Sequence, residues 1–468
     1  MNDPGRVVIL GAGPTGLGAA FRLRELGHDS WRVVERDDRP GGLARSYLDD
    51  AGFTWDCGGH VQFSHYAYYD GLCDRAVGDA WVSHERESWI WIAGRFVPYP
   101  FQNNLHRLDP ADRDRAFAGL ERAAASRRGR AANFGEWIVA TFGKELAAIF
   151  FFPYNRKVWG YPLERLGVSW MGERVAVPDL ERVRRTIATG RDDVSWGPNN
   201  MFRFPLDGGT GAIWKGVAAV LPAEQVLFGA EVVAVRLEER VVELRDGRRM
   251  PFDTLVSSLP LDTLCALSSG LPEPVHRAAR ALVHSAVHVL GVGLRGPKPE
   301  TLARKCWTYF PESHSPYYRV TVFSNYSPHN APPGGEHWSL MAEVSETPEK
   351  PVRVESLRGE TLAAMKRDGL LGEAEVVSFW HRREEHGYPT PFLGRDETLA
   401  TVLPGLEARR VYSRGRFGAW KYEVSNQDHS CMQGVELVDR LLGVGPGDEP
   451  TLNRPDYVNG GAFAANRR

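Results

Sequence analysis

Two stretches of this 468-residue chain combine residue types that could do chemistry. In GGHVQFSHY (58–66), a titratable side chain, His60, directly follows Gly58 and Gly59. Paired glycines let a backbone approach a flat ligand without a Cβ in the way. A histidine at that approach could exchange protons near neutral pH. In RVVILGAGPTGLGAAFRLRELGH (6–28), the apolar run Val7–Leu10 leads into Gly11-Ala-Gly13-Pro-Thr-Gly16 and then a helical pattern. That order is strand, tight turn, helix. The first two glycines would admit a pyrophosphate to the N–H groups at the helix start, and the third lets helix and strand pack closely. A second apolar run ends at Glu35, nineteen residues past Gly16, where a carboxylate can accept from a ribose diol.

Gly41 and Gly42 follow at once in RPGGLARS. A second close approach suits the longer dinucleotide FAD better than NAD. An FAD fold also needs a late return to the same sheet. RRMPFDTLVSSLPLDTL (248–264) offers a strand, and 410–442 offers a strand, a glycine-rich turn and an amphipathic helix. The expected fold is therefore α/β: a discontinuous Rossmann-type FAD domain interrupted by two insertions. Its pieces would be 1–90, about 200–275 and 405–468. Residues about 105–195 read as a helical nucleotide-binding insertion, with Asp109, Pro110 and Asn133 as helix-start residues. Residues about 280–400, together with about 85–100, read as an antiparallel substrate sheet.

Composition limits the alternatives. With 43% hydrophobic residues the chain can bury several cores, and a net charge of −2 sets up no global field for nucleic acid or an acidic membrane. Five scattered cysteines form no CxxC pair, which argues against both a disulfide framework and a structural zinc site, and no metal is expected. Neither a signal peptide nor a membrane-spanning run is expected, so the reading is a cytoplasmic enzyme, with a homo-oligomer left open.

FVPYPFQNN, FFPYNRKVWG, WMGERVAVP, WGPNNMFRFPLDGGTG, FSNYSP, HGYPTP and SRGRFGAWKYEVSNQDHS occur in this order along nearly the whole chain. Together they resemble the UDP-galactopyranose mutase family, in its fungal-type branch, while the Arg-rich composition suggests a bacterial source. The resemblance implies interconversion of UDP-galactopyranose and UDP-galactofuranose without net redox. Reduced flavin N5 would attack the anomeric carbon and expel UDP, and the sugar would open as a flavin iminium and reclose.

It further implies roles for matched residues. Gly11, Gly13, Gly16, Glu35, Gly41, Gly42, Arg45, Gly58, Gly59, Arg416, Asn426 and Gln427 would hold FAD. His60 would handle protons beside the ring, and Phe63 would close over the sugar. Arg174 and Arg319 could each fork onto the departing diphosphate, helped by hydroxyls of Tyr309, Tyr388 and Tyr422. Tyr99, Phe101, Gln102, Tyr154, Asn155 and Trp159 would receive uridine, and Asn199 would lie near the sugar. Arg86 and Ser88, two apart on one strand face, would hold the 2′-phosphate of NADPH, the reductant. Gln62 and Lys421 depart from the family pattern nearest these positions and bear on which sugar is taken. Three other readings compete: a binding or sensor protein with a dead flavin, which would need loss of the arginine pair or the GGH loop, both present; the same ring contraction on another nucleotide-hexose; and an amine-oxidase-type oxidoreductase. The last would need an apolar tunnel, in which two buried arginines without an anion would be costly.

Overall fold

Val7–Leu10 is a strand whose four residues are all buried, as expected of the centre of a parallel sheet covered on both faces. A computed structural model of the chain describes residues 3–126, 131–171, 175, 177–194 and 200–460. In it, Val7–Leu10 is the middle of five parallel strands in the order Val411–Ser413, Thr254–Ser257, Val7–Leu10, Trp31–Val34, Val226–Leu227. The late strands expected within 248–264 and 410–442 therefore join the first strand's sheet, Thr254–Ser257 beside Val7–Leu10 and Val411–Ser413 beside Thr254–Ser257, from positions some 250 and 400 residues downstream.

Helix Pro14–Glu25 follows the glycine turn and crosses helix Gln427–Leu442. The crossing is too tight for side chains. A Cβ on Gly434 would lie 2.2 Å from the Thr15 carbonyl oxygen, and one on Gly18 would lie 2.8 Å from both the carbonyl oxygen and the sulfur of Cys431.

A second sheet has seven strands in the order Glu375–Pro389, His284–Arg295, His337–Glu346, Arg319–Thr321, Trp307–Tyr309, Ser88–Ile92, Arg95–Pro98. All pairings are antiparallel except that of Ser88–Ile92 with Trp307–Tyr309, which is parallel. The run YRVTVFSNYS is a strand only over Arg319–Thr321. Beyond it, the Asn325 side chain donates to the Leu302 and Lys305 carbonyls, both at 2.9 Å, and the backbone turns instead of continuing the ladder.

The helical segment contains Pro110–Ser126, Phe134–Leu146, Phe152–Trp159 and Leu180–Thr189. Asn133 caps the second of these by accepting from the Glu136 N–H at 2.9 Å. Gly143 kinks the same helix at φ +76°, where a Cβ would lie 2.6 Å from the Gly119 carbonyl oxygen. A π-turn, Ala147–Phe151, follows directly and turns Tyr154 toward Tyr309, with ring centroids 5.3 Å apart. All five cysteines are free thiols and buried. No helix among the described residues is long and apolar enough to cross a membrane.

Candidate active site

The dinucleotide turn is built as its spacing implies. Gly11 has φ +95°, and a Cβ on Gly16 would lie 1.9 Å from the Gly11 carbonyl oxygen, so neither position admits a side chain. Gly13 begins helix Pro14–Glu25 without a side-chain cap, which leaves first-turn N–H groups facing outward from the turn. Glu35 is buried. One of its oxygens accepts from the Ala12 N–H at 2.8 Å and the other from the Asp37 N–H at 3.0 Å. The remaining lone pairs suit a ribose diol.

Gly41 and Gly42, at φ +116° and +53°, pack against this turn. The Gly41 N–H donates to the Ala12 carbonyl at 2.8 Å, and a Cβ on Gly42 would lie 3.4 Å from the Gly13 Cα. The residues thus form a cradle that Cβ atoms would fill, and it fits the diphosphate and ribose of FAD. Arg45 lies behind it, held by Asp37, Tyr47 and Glu384. Arg416 donates to the Gly387 carbonyl at 2.8 Å and the Ser425 hydroxyl at 2.9 Å, with its guanidinium 4.8 Å from the centre of the Tyr388 ring. Asn426 is exposed at the start of helix Gln427–Leu442, and Gln427 accepts from the Trp214 indole at 2.7 Å.

Strand register assembles the second half of the site. Tyr309 pairs with Arg319, and Arg319 with Glu343, so three polar side chains form one row across three strands. Glu343 accepts from Arg319 twice at 2.8 Å, from the Tyr318 hydroxyl at 2.7 Å and from the Gly59 N–H at 3.1 Å. Burial would raise this carboxyl. The Arg319 charge and these hydrogen bonds overcome it and hold the group below the usual range. Arg319 is therefore no lone phosphate ligand in the ligand-free chain, because a carboxylate that is 3% exposed already neutralises it.

The same carboxylate anchors the glycine pair. Gly58 has φ +138°, and a Cβ on Gly59 would lie 2.9 Å from the Thr321 hydroxyl and 3.5 Å from the Arg319 guanidinium carbon. His60 follows, half-buried, with Nδ1 enclosed and without a hydrogen-bond partner. Burial pushes its imidazole down to about 4, the Arg416 and Arg319 charges push the same way, and Glu343 opposes them. His60 is thus neutral at physiological pH. Phe63 stands edge-on to His65 at 5.1 Å.

The other expected contacts separate into two aromatic groups. In one, Tyr309 lies 6.3 Å from Tyr99 and 5.3 Å from Tyr154, and Tyr154 stacks on Phe150 at 5.4 Å. In the other, Trp159, Tyr388 and Tyr422 contact one another within 6.0 Å. Two expectations need correction here. Phe101 and Trp159 are 1% and 2% exposed and packed among other rings, so they back the site and offer no open face to a base. Gln102 is also buried, and the Asn155 amide donates to the Phe151 carbonyl at 2.8 Å.

Arg86 does not sit on an exposed edge. Its guanidinium lies 4.9 Å from the Tyr99 and Trp307 rings and donates to the Ser88 hydroxyl at 3.2 Å, and Ser88 is fully buried. Of this pair, only Arg86 retains any exposure to offer a phosphate. Gln62 and Lys421 also turn away from the site. The Gln62 amide meets Tyr69 and Cys73, and Lys421 donates to the Leu452 carbonyl at 2.8 Å. Arg174 and Asn199 lie outside the described residues.

Glu343 was the residue that spacing did not reveal, although it is the single charge inside the buried run Trp338–Ser345. A lone carboxylate in an apolar strand is itself a signal, since such a charge needs a partner.

A flavin-containing amine oxidoreductase model matches residues 14–412, and the chain belongs to that family. Its structure is similar to that of reduced UDP-galactopyranose mutase, with 47% identity over 98% of each chain and a TM-score of 0.94. At that identity and coverage the enzyme is an isomerase, a flavin-dependent mutase, rather than an amine oxidase. A protein from Exiguobacterium sp. 255-15 assigned as a protoporphyrinogen oxidase matches with a TM-score of 0.72 at 16% identity, over 95% of this chain and 100% of its own. Putrescine oxidase bound to putrescine matches at 0.63 and 16%, over 94% and 99%. These two likenesses describe the fold alone.

Proposed function

We propose that this enzyme interconverts UDP-galactopyranose and UDP-galactofuranose with FAD in its reduced form, NADPH serving as reductant. The observation that carries the reading is the 47% identity, over 98% of both chains, to a UDP-galactopyranose mutase solved in its reduced state. FAD would be held by Gly11, Gly13, Gly16, Glu35, Gly41 and Gly42, with Gly58 and Gly59 at the ring and Arg45, Arg416, Asn426 and Gln427 around it. Reduced FAD supplies a nucleophilic ring nitrogen and takes no net electrons across a turnover.

The chain's own residues would do the rest. Arg319, exchanging part of its pairing with Glu343 for the diphosphate, and Arg174 neutralise the leaving group. Tyr309, Tyr388 and Tyr422 donate neutral hydroxyls, while Tyr99, Tyr154, Gln102 and Asn155 hold the uracil end. Asn199 and Phe63 flank the sugar. His60 would handle protons beside the sugar, whose ring oxygen takes one up as the ring opens and whose attacking hydroxyl gives one up as it recloses, and a neutral imidazole can accept the latter. Arg86 and Ser88 would serve the NADPH phosphate after a local rearrangement that exposes Ser88. Glycine cradle, helical insertion and seven-stranded sheet would thus act as cofactor, nucleotide and substrate units of a cytoplasmic enzyme of the fungal-type branch.

The test is incubation of dithionite-reduced holoprotein with UDP-galactofuranose, followed by chromatography of the sugar nucleotides. Conversion to UDP-galactopyranose is expected only after reduction. Equal turnover by oxidised enzyme would overturn the flavin chemistry, and no conversion at all would overturn the substrate assignment. Anaerobic bleaching of the flavin by NADPH in preference to NADH, with the preference lost in Arg86→Ala, tests the reductant.

A further inference from the structure

Tyr422, Glu423 and Val424 form a single 3-10 turn, too short for regular structure to satisfy its carbonyls. Side chains supply the partners instead. The Ser425 hydroxyl donates to the Tyr422 carbonyl at 2.8 Å, the Asn459 amide to the Glu423 carbonyl at 3.0 Å, and the Gln433 amide to the Val424 carbonyl at 2.9 Å. Just before the turn, the Lys421 ammonium donates to the Leu452 carbonyl at 2.8 Å. The bonds to Leu452 and Asn459 both lead into one late segment, the helices Pro450–Asn453 and Pro455–Asn459. They bracket Tyr422, one from the residue before it and one from the residue after it.

That segment is itself fixed. Thr451 is fully buried, and its N–H and hydroxyl donate to the two oxygens of Glu436 at 2.9 and 2.7 Å. Its hydroxyl also meets that of Tyr66 at 2.7 Å, and Tyr66 ends the glycine–histidine stretch 58–66. The Asn459 amide is held in its own helix by the Pro455 carbonyl at 2.9 Å. On the other face of the turn, the Tyr422 ring meets Trp159 and Trp170 edge-on at 5.0 and 5.5 Å. Such ring contacts set the plane of the tyrosine, while hydrogen bonds on both sides of it set how far the turn stands from that wall. Arg395 also grips the turn, forking onto the Glu423 carboxylate at 2.7 and 2.8 Å. A side-chain anchor of that kind leaves the backbone able to rotate, and the flanking tethers remove this freedom.

We propose, resting on the Tyr422–diphosphate contact assigned above, that Lys421 and Asn459 are positioning residues. Through the segment 450–459 they hold the Tyr422 hydroxyl where the diphosphate of the sugar nucleotide lies. Neither touches substrate. The chain's late segment thereby sets the geometry of the leaving-group site, and through Thr451 the same segment reaches the end of the His60 stretch.

The experiment is calorimetric titration of FAD-loaded, oxidised protein with UDP. Asn459→Ala and Lys421→Met should each weaken UDP about fivefold, a fraction of what one charge-assisted hydrogen bond contributes. Lys421→Arg keeps a cationic donor and should restore wild-type affinity. Tyr422→Phe should itself bind UDP more weakly, and in that background neither tether variant should weaken it further, because no hydroxyl remains to be misplaced. If one tether variant fails to fold, the other carries the same comparison. Tether variants that bind UDP like wild type overturn the proposal, and so do variants that weaken UDP equally with and without the Tyr422 hydroxyl. If Tyr422→Phe alone binds UDP like wild type, the assigned diphosphate contact falls, and the positioning role falls with it.

Discussion

Glu343 governs how much positive charge Arg319 can offer a ligand. Removing one member of a buried ion pair strands the other, at a cost of about 3–5 kcal/mol. Glu343→Gln should therefore lower stability by about 3 kcal/mol in urea unfolding. It should also enlarge the stabilisation that UDP confers, because the freed guanidinium can turn to the diphosphate. If UDP shifts the melting point of both proteins equally, Arg319 does not meet the diphosphate. His60 makes a second prediction at this scale. Its folded value of about 4 lies below the ordinary 6.5, so the unfolded chain binds more protons between those pH values. Its contribution to stability is full above about pH 6.5 and is lost as pH falls toward 4. NMR titration of the reduced or oxidised enzyme should find a His60 resonance still neutral at pH 5.5, and an ordinary midpoint near 6.5 would refute the buried, neutral state.

The elements explain why some of this was legible in advance. The glycine turn, its flanking strand and helix, and Glu35 lie within 30 residues, and their spacing encodes their geometry. Asn133 could be read as a cap because capping is local. The Tyr309–Arg319–Glu343 row could not be read, since it depends on the register between strands whose partners are 24 residues apart. Nor does an aromatic residue in FFPYNRKVWG declare how deeply it is packed, so the half-buried Tyr154 and the fully buried Trp159 looked alike. The helix crossing supplies this scale's prediction. Gly434→Ala drives a Cβ to 2.2 Å from the Thr15 oxygen. The helices must separate, which should cost at least about 2 kcal/mol and loosen the turn that Thr15 follows. A purified variant with full flavin content and a wild-type melting point would show that the helices tolerate the added methyl.

For the whole molecule, Asp56 ties distant segments together and makes their union pH-dependent. It ends strand Thr54–Asp56, accepts from the Ser46 hydroxyl, and meets the Thr210 N–H at 3.3 Å beside helix Gly211–Ala219. Burial pushes its carboxyl up to about 7, against the hydrogen bonds from Ser46 and Thr210. A raised carboxyl stabilises below its unfolded value near 3.8 and loses that contribution as pH climbs through 7. Asp56→Asn should flatten this part of the stability–pH curve in denaturant titrations, and an unchanged slope between pH 4 and 7 would show that Asp56 ionises normally.

The five buried thiols have a different consequence. Cys57 precedes the Gly58–Gly59 pair and contacts Glu384, Cys73 supports Gln62, and Cys431 abuts Gly18 at the helix crossing. An alkylating reagent can reach them only when the region around each one opens. Their labelling rates, resolved by peptide mass, form a set of clocks distributed through the molecule. The clock at Cys57 would time the breathing of the glycine–histidine loop separately from that of the rest of the chain.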